Sequence, residues 1–252
     1  MTTLLQVEQL CKHYPGFVLH DVSFSVEPGR IMGLIGKNGA GKSTILKSIL
    51  NMVRSDAGAV TMLGLDYFQN EKECKQKIGV VFGGVDFYPL KKLSTITSVT
   101  RRFYSNWDQQ RYEKYLRQFS LDESKPFKSL SNGMKVKYLL ALALSHHAQL
   151  YLLDEPTSGL DPVSRDEILQ IFTHIVKDGN RSVLFSTHIT SDLDRCANDI
   201  TYIQNGRVLK SADKETFLNS FDHLKTLGDN APLTLEQIML RTERRALDET
   251  AL

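Results

Sequence analysis

Cysteine is scarce, with three in 252 residues: Cys11, Cys74 and Cys196. They lie far apart and form no C-x-x-C pair, so neither a thiolate zinc site nor a disulfide framework is indicated, and a reducing, cytoplasmic setting fits best. Long apolar runs are missing too. Those present, such as Tyr138–Leu144, fall far short of the roughly 20 residues that span a bilayer, and the N-terminus does not read as a signal peptide. A membrane role is therefore expected only through a partner. Charge of one sign is also lacking: the net charge is +2, Lys and Arg are scattered, and no basic face of the kind that holds nucleic acid emerges. Low-complexity linkers and internal repeats do not interrupt the chain, whose length suits one large domain or a domain with an insertion.

Against this plain background one stretch stands out, GLIGKNGAGKST from Gly33 to Thr44. Gly36, Gly41, Lys42 and Ser43 complete G-x-x-x-x-G-K-[ST]. The apolar run Ile31–Ile35 ahead of it reads as a buried strand, and Ile45, Leu46 and Ile49 behind it have helical spacing. Strand, glycine loop and helix thus follow in the order that a phosphate-binding loop requires. Glycines let successive backbone N–H groups turn inward on an anion, and the positive end of the following helix adds to the attraction. In such a loop Lys42 reaches the β- and γ-phosphates and Ser43 ligates Mg²⁺.

The remaining elements are arranged around this unit. Leu4–Lys12 and Val22–Val26 flank the turn Tyr14-Pro15-Gly16 and read as strands of an edge antiparallel sheet; Tyr14 is placed either to stack on a nucleotide base or simply to pack. Gly58–Leu63 is a short strand, and the charged helix Gln69–Lys77 leads into the strand Ile78–Phe82. From about Asp86 to His147 the strand–helix alternation gives way to three helical patterns, Ser94–Tyr104, Asp108–Phe119 and Asn132–Ser145, read as a helical insertion. The third opens with LSNGMK, where Ser131 can cap the helix and Gly133 permits close backbone approach. Its N-terminus is a second anion site or only a capped helix. The apolar strand Leu150–Leu153 ends in Asp154-Glu155, at the carboxyl edge where α/β sheets bind ligands. There Asp154 can hold Mg²⁺ and Glu155 can polarise a water as general base. Ser158-Gly159-Leu160-Asp161 then opens the helix Pro162–Val176, and His188 follows the strand Val183–Ser186 as a structural residue or a γ-phosphate sensor.

Taken in order, GKNGAGKS, LSNGMK, LYLLDE, SGLD and STH resemble the ATP-binding subunit of an ABC transporter, over roughly Leu4–Ala212. The resemblance implies an α/β P-loop NTPase fold with a mostly parallel core sheet, an N-terminal antiparallel β subdomain and a helical insertion. It implies an ATPase with ATP and Mg²⁺ as cofactors. Tyr14 matches the adenine-stacking aromatic. Gly36, Asn38, Gly39, Ala40, Gly41, Lys42, Ser43 and Thr44 fall in the phosphate loop, and Ser131 and Gly133 in the signature that contacts the γ-phosphate of ATP held by a second subunit. Asp154 matches the Mg²⁺-side acid, Glu155 the catalytic base, Asp161 the loop coupling the two sites, and His188 the switch histidine. Single-domain subunits of bacterial drug or peptide exporters are the members it most resembles. Those imply an integral-membrane permease partner, a homodimer or a heterodimer with a related ATPase, and a peripheral place on the inner face of the cell membrane.

Two departures matter. Asn132 and Met134 replace a glycine and a glutamine of the usual LSGGQ signature, while Ser131 and Gly133 remain. The glutamine expected after Ile78–Phe82 is absent, with Gly83 nearest its place and Asp86 as the candidate substitute. The expected division is an ATPase domain at 1–212, with the insertion at about 86–147, and a helical tail at 213–252. In the tail, Asp213–Phe221 and a segment opening at Pro232 read as helices that pack on their own domain or meet the partner. A soluble P-loop ATPase acting on nucleic acid or translation is the rival reading; it calls for tandem ATPase domains, a long coiled coil or a basic face.

Overall fold

The computed structural model describes residues 3–82, 88–226 and 231–250, without side chains for 246–250. Gly83 and Asp86, where the missing glutamine was expected, lie outside the described residues. Strands β1 (Leu5–Tyr14) and β2 (Phe17–Val26) form an antiparallel hairpin around the expected turn. Strand β3 (Ile31–Ile35) runs into the glycine loop and helix α1 (Lys42–Ile49). The chain then returns through β4 (Ala57–Met62) and β5 (Leu65–Asp66) to pair beside β1, and α2 (Glu71–Gln76) leads to β6 (Ile78–Phe82).

Helices α3 (Leu93–Thr100), α4 (Gln109–Gln118) and α5 (Asn132–Leu144) follow, as their periodicity predicts. A shared polar knot joins them: Thr97 Oγ1 lies 2.7 Å from the Tyr112 hydroxyl and 2.9 Å from that of Tyr138, all three side chains being buried. Buried hydroxyls need such partners, because an unpaired one costs about 1–3 kcal/mol. Alternation resumes with β7 (Leu150–Asp154), α6 (Pro162–Val176), β8 (Ser182–Thr187), α7 (Thr190–Cys196), β9 (Asp199–Gln204) and β10 (Arg207–Asp213). Helices α8 (Lys214–Asn219) and α9 (Leu235–Thr250) close the described chain.

Two sheets result. One is four-stranded, ordered β2-β1-β4-β5; the other is six-stranded, ordered β10-β9-β3-β8-β7-β6, and parallel apart from the β9–β10 hairpin. Strands β3, β7, β8 and β9 are buried along their whole length, the expected condition of parallel strands covered on both faces. One apolar core fills the space between the two sheets, with Leu5, Val7, Met32, Leu34 and Ile45. The other joins the second face of the large sheet to the helices through Phe172, Phe185, Tyr138 and Tyr151. Asp161 caps α6 by accepting from Val163 N and Ser164 N at 3.0 Å each, with Pro162 at the first helical position. Hydrogen bonds from Ser164 hold the Asp161 carboxyl below the usual carboxylate range.

Between α5 and β7, His146 is 1% exposed and stacks on Tyr104, with ring centroids 3.8 Å apart. Burial pushes its pKa down to about 4 from an ordinary 6.5. The neutral ring is therefore the form that folds: its stability contribution is complete above pH 6.5 and is lost as pH falls through that value towards 4. Two and a half pKa units correspond to about 3 kcal/mol. Urea unfolding of His146→Phe should accordingly lose less stability between pH 6.5 and 4 than the parent, by an amount of that order. Parallel pH profiles would contradict the assignment.

Candidate functional site

The glycine loop leaves the centre of the large sheet, because β3 lies between β8 and β9. Its shape is dictated sterically. A Cβ on Gly36 would meet the Ile203 carbonyl oxygen at 2.3 Å, and Gly41 has φ +113°, a conformation that side chains rarely adopt. The loop curls around the Lys42 ammonium. Nζ donates to Gly36 O at 2.7 Å and Lys37 O at 3.2 Å, and lies 3.3 Å from Glu155 Oε1, while the side chain is 5% exposed.

Strands β7 and β8 bring up the acids. Leu153 pairs with Phe185, which sets Asp154 beside Ser186. Asp154 Oδ1 accepts from Ser186 Oγ at 2.7 Å and from Ser43 Oγ at 3.0 Å. The Ser186 hydroxyl also accepts from Glu155 N at 2.9 Å. Glu155 itself sits at φ +48° in the left-handed region, which costs a non-glycine residue on the order of 1–3 kcal/mol. That kink turns its carboxylate back over the loop, so that Oε1 faces Lys42 and Oε2 lies 2.8 Å from His188 Nδ1. Behind them, the fully buried Asp192 pairs with Arg165 and accepts from Thr157 Oγ1 at 2.7 Å and Thr187 Oγ1 at 3.3 Å. One carboxylate thereby fastens the segments that carry Glu155 and His188.

A cleft of about 600 Å³ opens over this group. Asn38, Gly39, Gly41, Lys42, Ser43 and Thr44 line it from the loop side, facing Glu155, Ser158 and His188. Gly36, Ala40 and Asp154 shape it from behind, through the contacts to Lys42, Gly206 and Ser43. At the hairpin, Gly16 and Phe17 reach the cleft. Tyr14 is 39% exposed on the same turn, with the Lys12 ammonium 5.5 Å above its ring, and does not line the cleft. Ser131 and Gly133 are not brought there either. Ser131 caps α5 by accepting from Met134 N at 3.3 Å, and Gly133 packs so closely on α6 that a Cβ would meet Ser164 at 3.0 Å.

A family model described as ABC transporter matches residues 19–158, more than half of the chain and all of the stretch from the glycine loop to the two acids. The chain belongs to the ABC transporter family. Among its relatives, the ABC transporter ATP-binding protein YtrB of Bacillus subtilis is 30% identical over 229 residues, covering 90% of this chain and 77% of that one. The bacitracin transport ATP-binding protein BcrA of Bacillus licheniformis is 28% identical, over 89% and 72% of the two chains. A solved ATP-binding subunit of an ABC transporter superposes with a TM-score of 0.82 at 28% identity, over 95% of this chain and all of the other. The fold is that of the ABC-family P-loop ATPase, and the protein binds and hydrolyses ATP.

Sequence reasoning passed over two residues of this ABC ATPase. Phe17 follows the glycine turn that drew attention to Tyr14. Ser186 lay within the quoted STH motif but had no role until strand register put its hydroxyl between Asp154 and the Glu155 backbone. Hydrogen bonds to charged groups contribute about 1.5–3 kcal/mol. Ser186→Ala should therefore lower the thermal midpoint by several degrees and, in protein still fully folded at the assay temperature, slow ATP hydrolysis roughly tenfold or more. A variant hydrolysing ATP at the parent rate would show that the hydroxyl does not position the acids.

Proposed function

We propose that this chain is the ATP-hydrolysing subunit of an exporter whose membrane-spanning part is a separate permease, and that two ATPase chains close over ATP to drive it. The observation that carries the reading is a division of residues. Lys42, Ser43, Glu155 and His188 converge on one cleft, while Ser131 is exposed outside it at the start of α5, with Gly133 buried against α6. A second copy supplies them.

In this reading residues 1–212 form the ATPase unit, with the helical insertion at about 86–147 and the tail at 213–252. Backbone N–H groups of the loop and Lys42 hold the β- and γ-phosphates. The adenine lies towards the hairpin, where Tyr14 and Phe17 offer aromatic faces. Ser43 Oγ and Asp154 Oδ1, 3.0 Å apart, are the hard oxygen donors that Mg²⁺ takes. Mg²⁺, when bound, neutralises charge on the phosphate oxygens. Glu155 accepts the proton of the attacking water, and His188, against its other oxygen, keeps the carboxylate aimed and senses the γ-phosphate.

The transport reading draws on relatives called bacitracin transport and Nod factor export ATP-binding proteins. Among the described residues no helix is long and apolar enough to cross a membrane. A groove of about 730 Å³ between α2 and the end of α3 is bordered by Met52, 61% exposed, and Phe103, 70% exposed. Exposed apolar side chains around a concavity mark an interaction surface, and a permease segment is the occupant that fits this function. With the permease, the chain sits on the cytoplasmic face of the membrane.

Two outcomes test the proposal. Glu155→Gln should retain ATP binding, lose on the order of 10²- to 10⁴-fold in turnover and accumulate as an ATP-bound dimer, whereas Lys42→Ala should weaken binding itself. Hydrolysis by Glu155→Gln near the parent rate would assign the base elsewhere. Specific activity of the parent should also fall on dilution below the dimer dissociation constant, and a constant value would refute a shared site.

A further inference from the structure

The ATPase reading leaves the tail helix without a task, yet α9 reaches the phosphate loop. Glu243 Oε2 lies 2.9 Å from Nζ of Lys37, the residue between Gly36 and Asn38, and Oε1 accepts from the Tyr202 hydroxyl at 3.2 Å. The acid is only 19% exposed. Tyr202 is fully buried on β9 and pairs with Ile35, the last residue of β3 before the loop. Lys37 is thus held at both ends. Its main-chain oxygen accepts from Lys42 Nζ at 3.2 Å and Ala40 N at 3.1 Å, inside the loop, while its side chain is tied to α9 outside it. The helix is itself anchored: Leu235 and Ile238 are buried in the core, and Arg241 donates to Leu224 O at 2.9 Å.

We infer that Glu243 is a positioning residue for nucleotide binding, with α9 acting as a strap that fixes the phosphate loop through Lys37. The inference rests on the reading of Gly36–Thr44 as the phosphate site. Its physical basis is preorganisation. A glycine-rich loop has many conformations, and one held from outside has less freedom to lose when its N–H groups converge on phosphate. A partly exposed ion pair limits the size of the effect, since such pairs contribute up to about 1 kcal/mol, equivalent to a few-fold in affinity. Deleting α9 would confuse this with unfolding, because Leu235 and Ile238 belong to the core. Point variants avoid that.

The test measures binding of a fluorescent ATP analogue, and steady-state hydrolysis, in the full chain. Glu243→Gln and Lys37→Met should each weaken binding roughly two- to fivefold, the size of effect such a pair allows. The double variant should be no weaker than either single one, because both remove one contact. For Glu243→Gln the KM for ATP should rise with kcat unchanged, Glu243→Asp should recover part of the affinity, and Arg244→Gln, on the same helix, should have no effect. Additive losses in the double variant, unchanged or tighter binding in Glu243→Gln, or an equal loss in Arg244→Gln would overturn the inference. Binding by the parent that is lost in Lys42→Ala checks the phosphate reading separately, so a failed strap is distinguishable from a failed nucleotide site.

Discussion

An ammonium held 5% exposed inside a loop of peptide carbonyls is costly unless every side of it is satisfied, and the Lys42 site depends on meeting that condition. Two carbonyl oxygens and one carboxylate compensate the charge. Each compensating group needs its own support. The carbonyls are presented by a loop that only glycine at 36 permits, and the carboxylate by a left-handed Glu155 whose N–H is fixed by Ser186. Ser186 in turn requires β7 and β8 to be neighbours in register. The parallel sheet is therefore a device for bringing one cation and two acids to a common edge, as open α/β sheets do at the carboxyl ends of their strands.

The same chain of dependence runs to the periphery. Glu155 is shared between Lys42 and His188, so one carboxylate positions both side chains. The buried Asp192, through Arg165, Thr157 and Thr187, joins the start of α6 to the end of β8. At the opposite side, Lys37 links the loop to α9. The loop is thus contacted both by the acids at its mouth and by a helix from the far end of the chain.

Much of this was legible in the sequence because local rules agreed with one another. The glycine loop carried its flanking strand and helix, Asp161-Pro162 marked the start of α6, and helical spacing located α3, α4 and α5 within a few residues. The β9–β10 hairpin and the short helix α7 are not marked by any motif, and strand pairing in the structure reveals the hairpin. The uses of single side chains were harder to read. An aromatic beside a turn does not announce whether Tyr14 or Phe17 faces the cleft, because the two pair across the hairpin and only the folded chain shows that Phe17 lines it. Gly133 was expected to allow close approach, and the neighbour it meets here is Ser164 of its own chain. Lys37 stood inside the most informative motif without a role, because its partner Glu243 lies almost the whole chain away and no periodicity connects them.

If one cleft is completed by two chains, two variants that are inactive alone should restore activity to each other when mixed. Lys42→Ala damages the phosphate loop, and Ser131→Arg damages the surface it is proposed to meet. If the sites are shared, each variant alone has little ATPase activity. An equimolar mixture should then regain a substantial part of the parent rate, because mixed dimers contain one site with both halves intact. A mixture as inactive as its components, or full activity of Ser131→Arg by itself, would contradict the account.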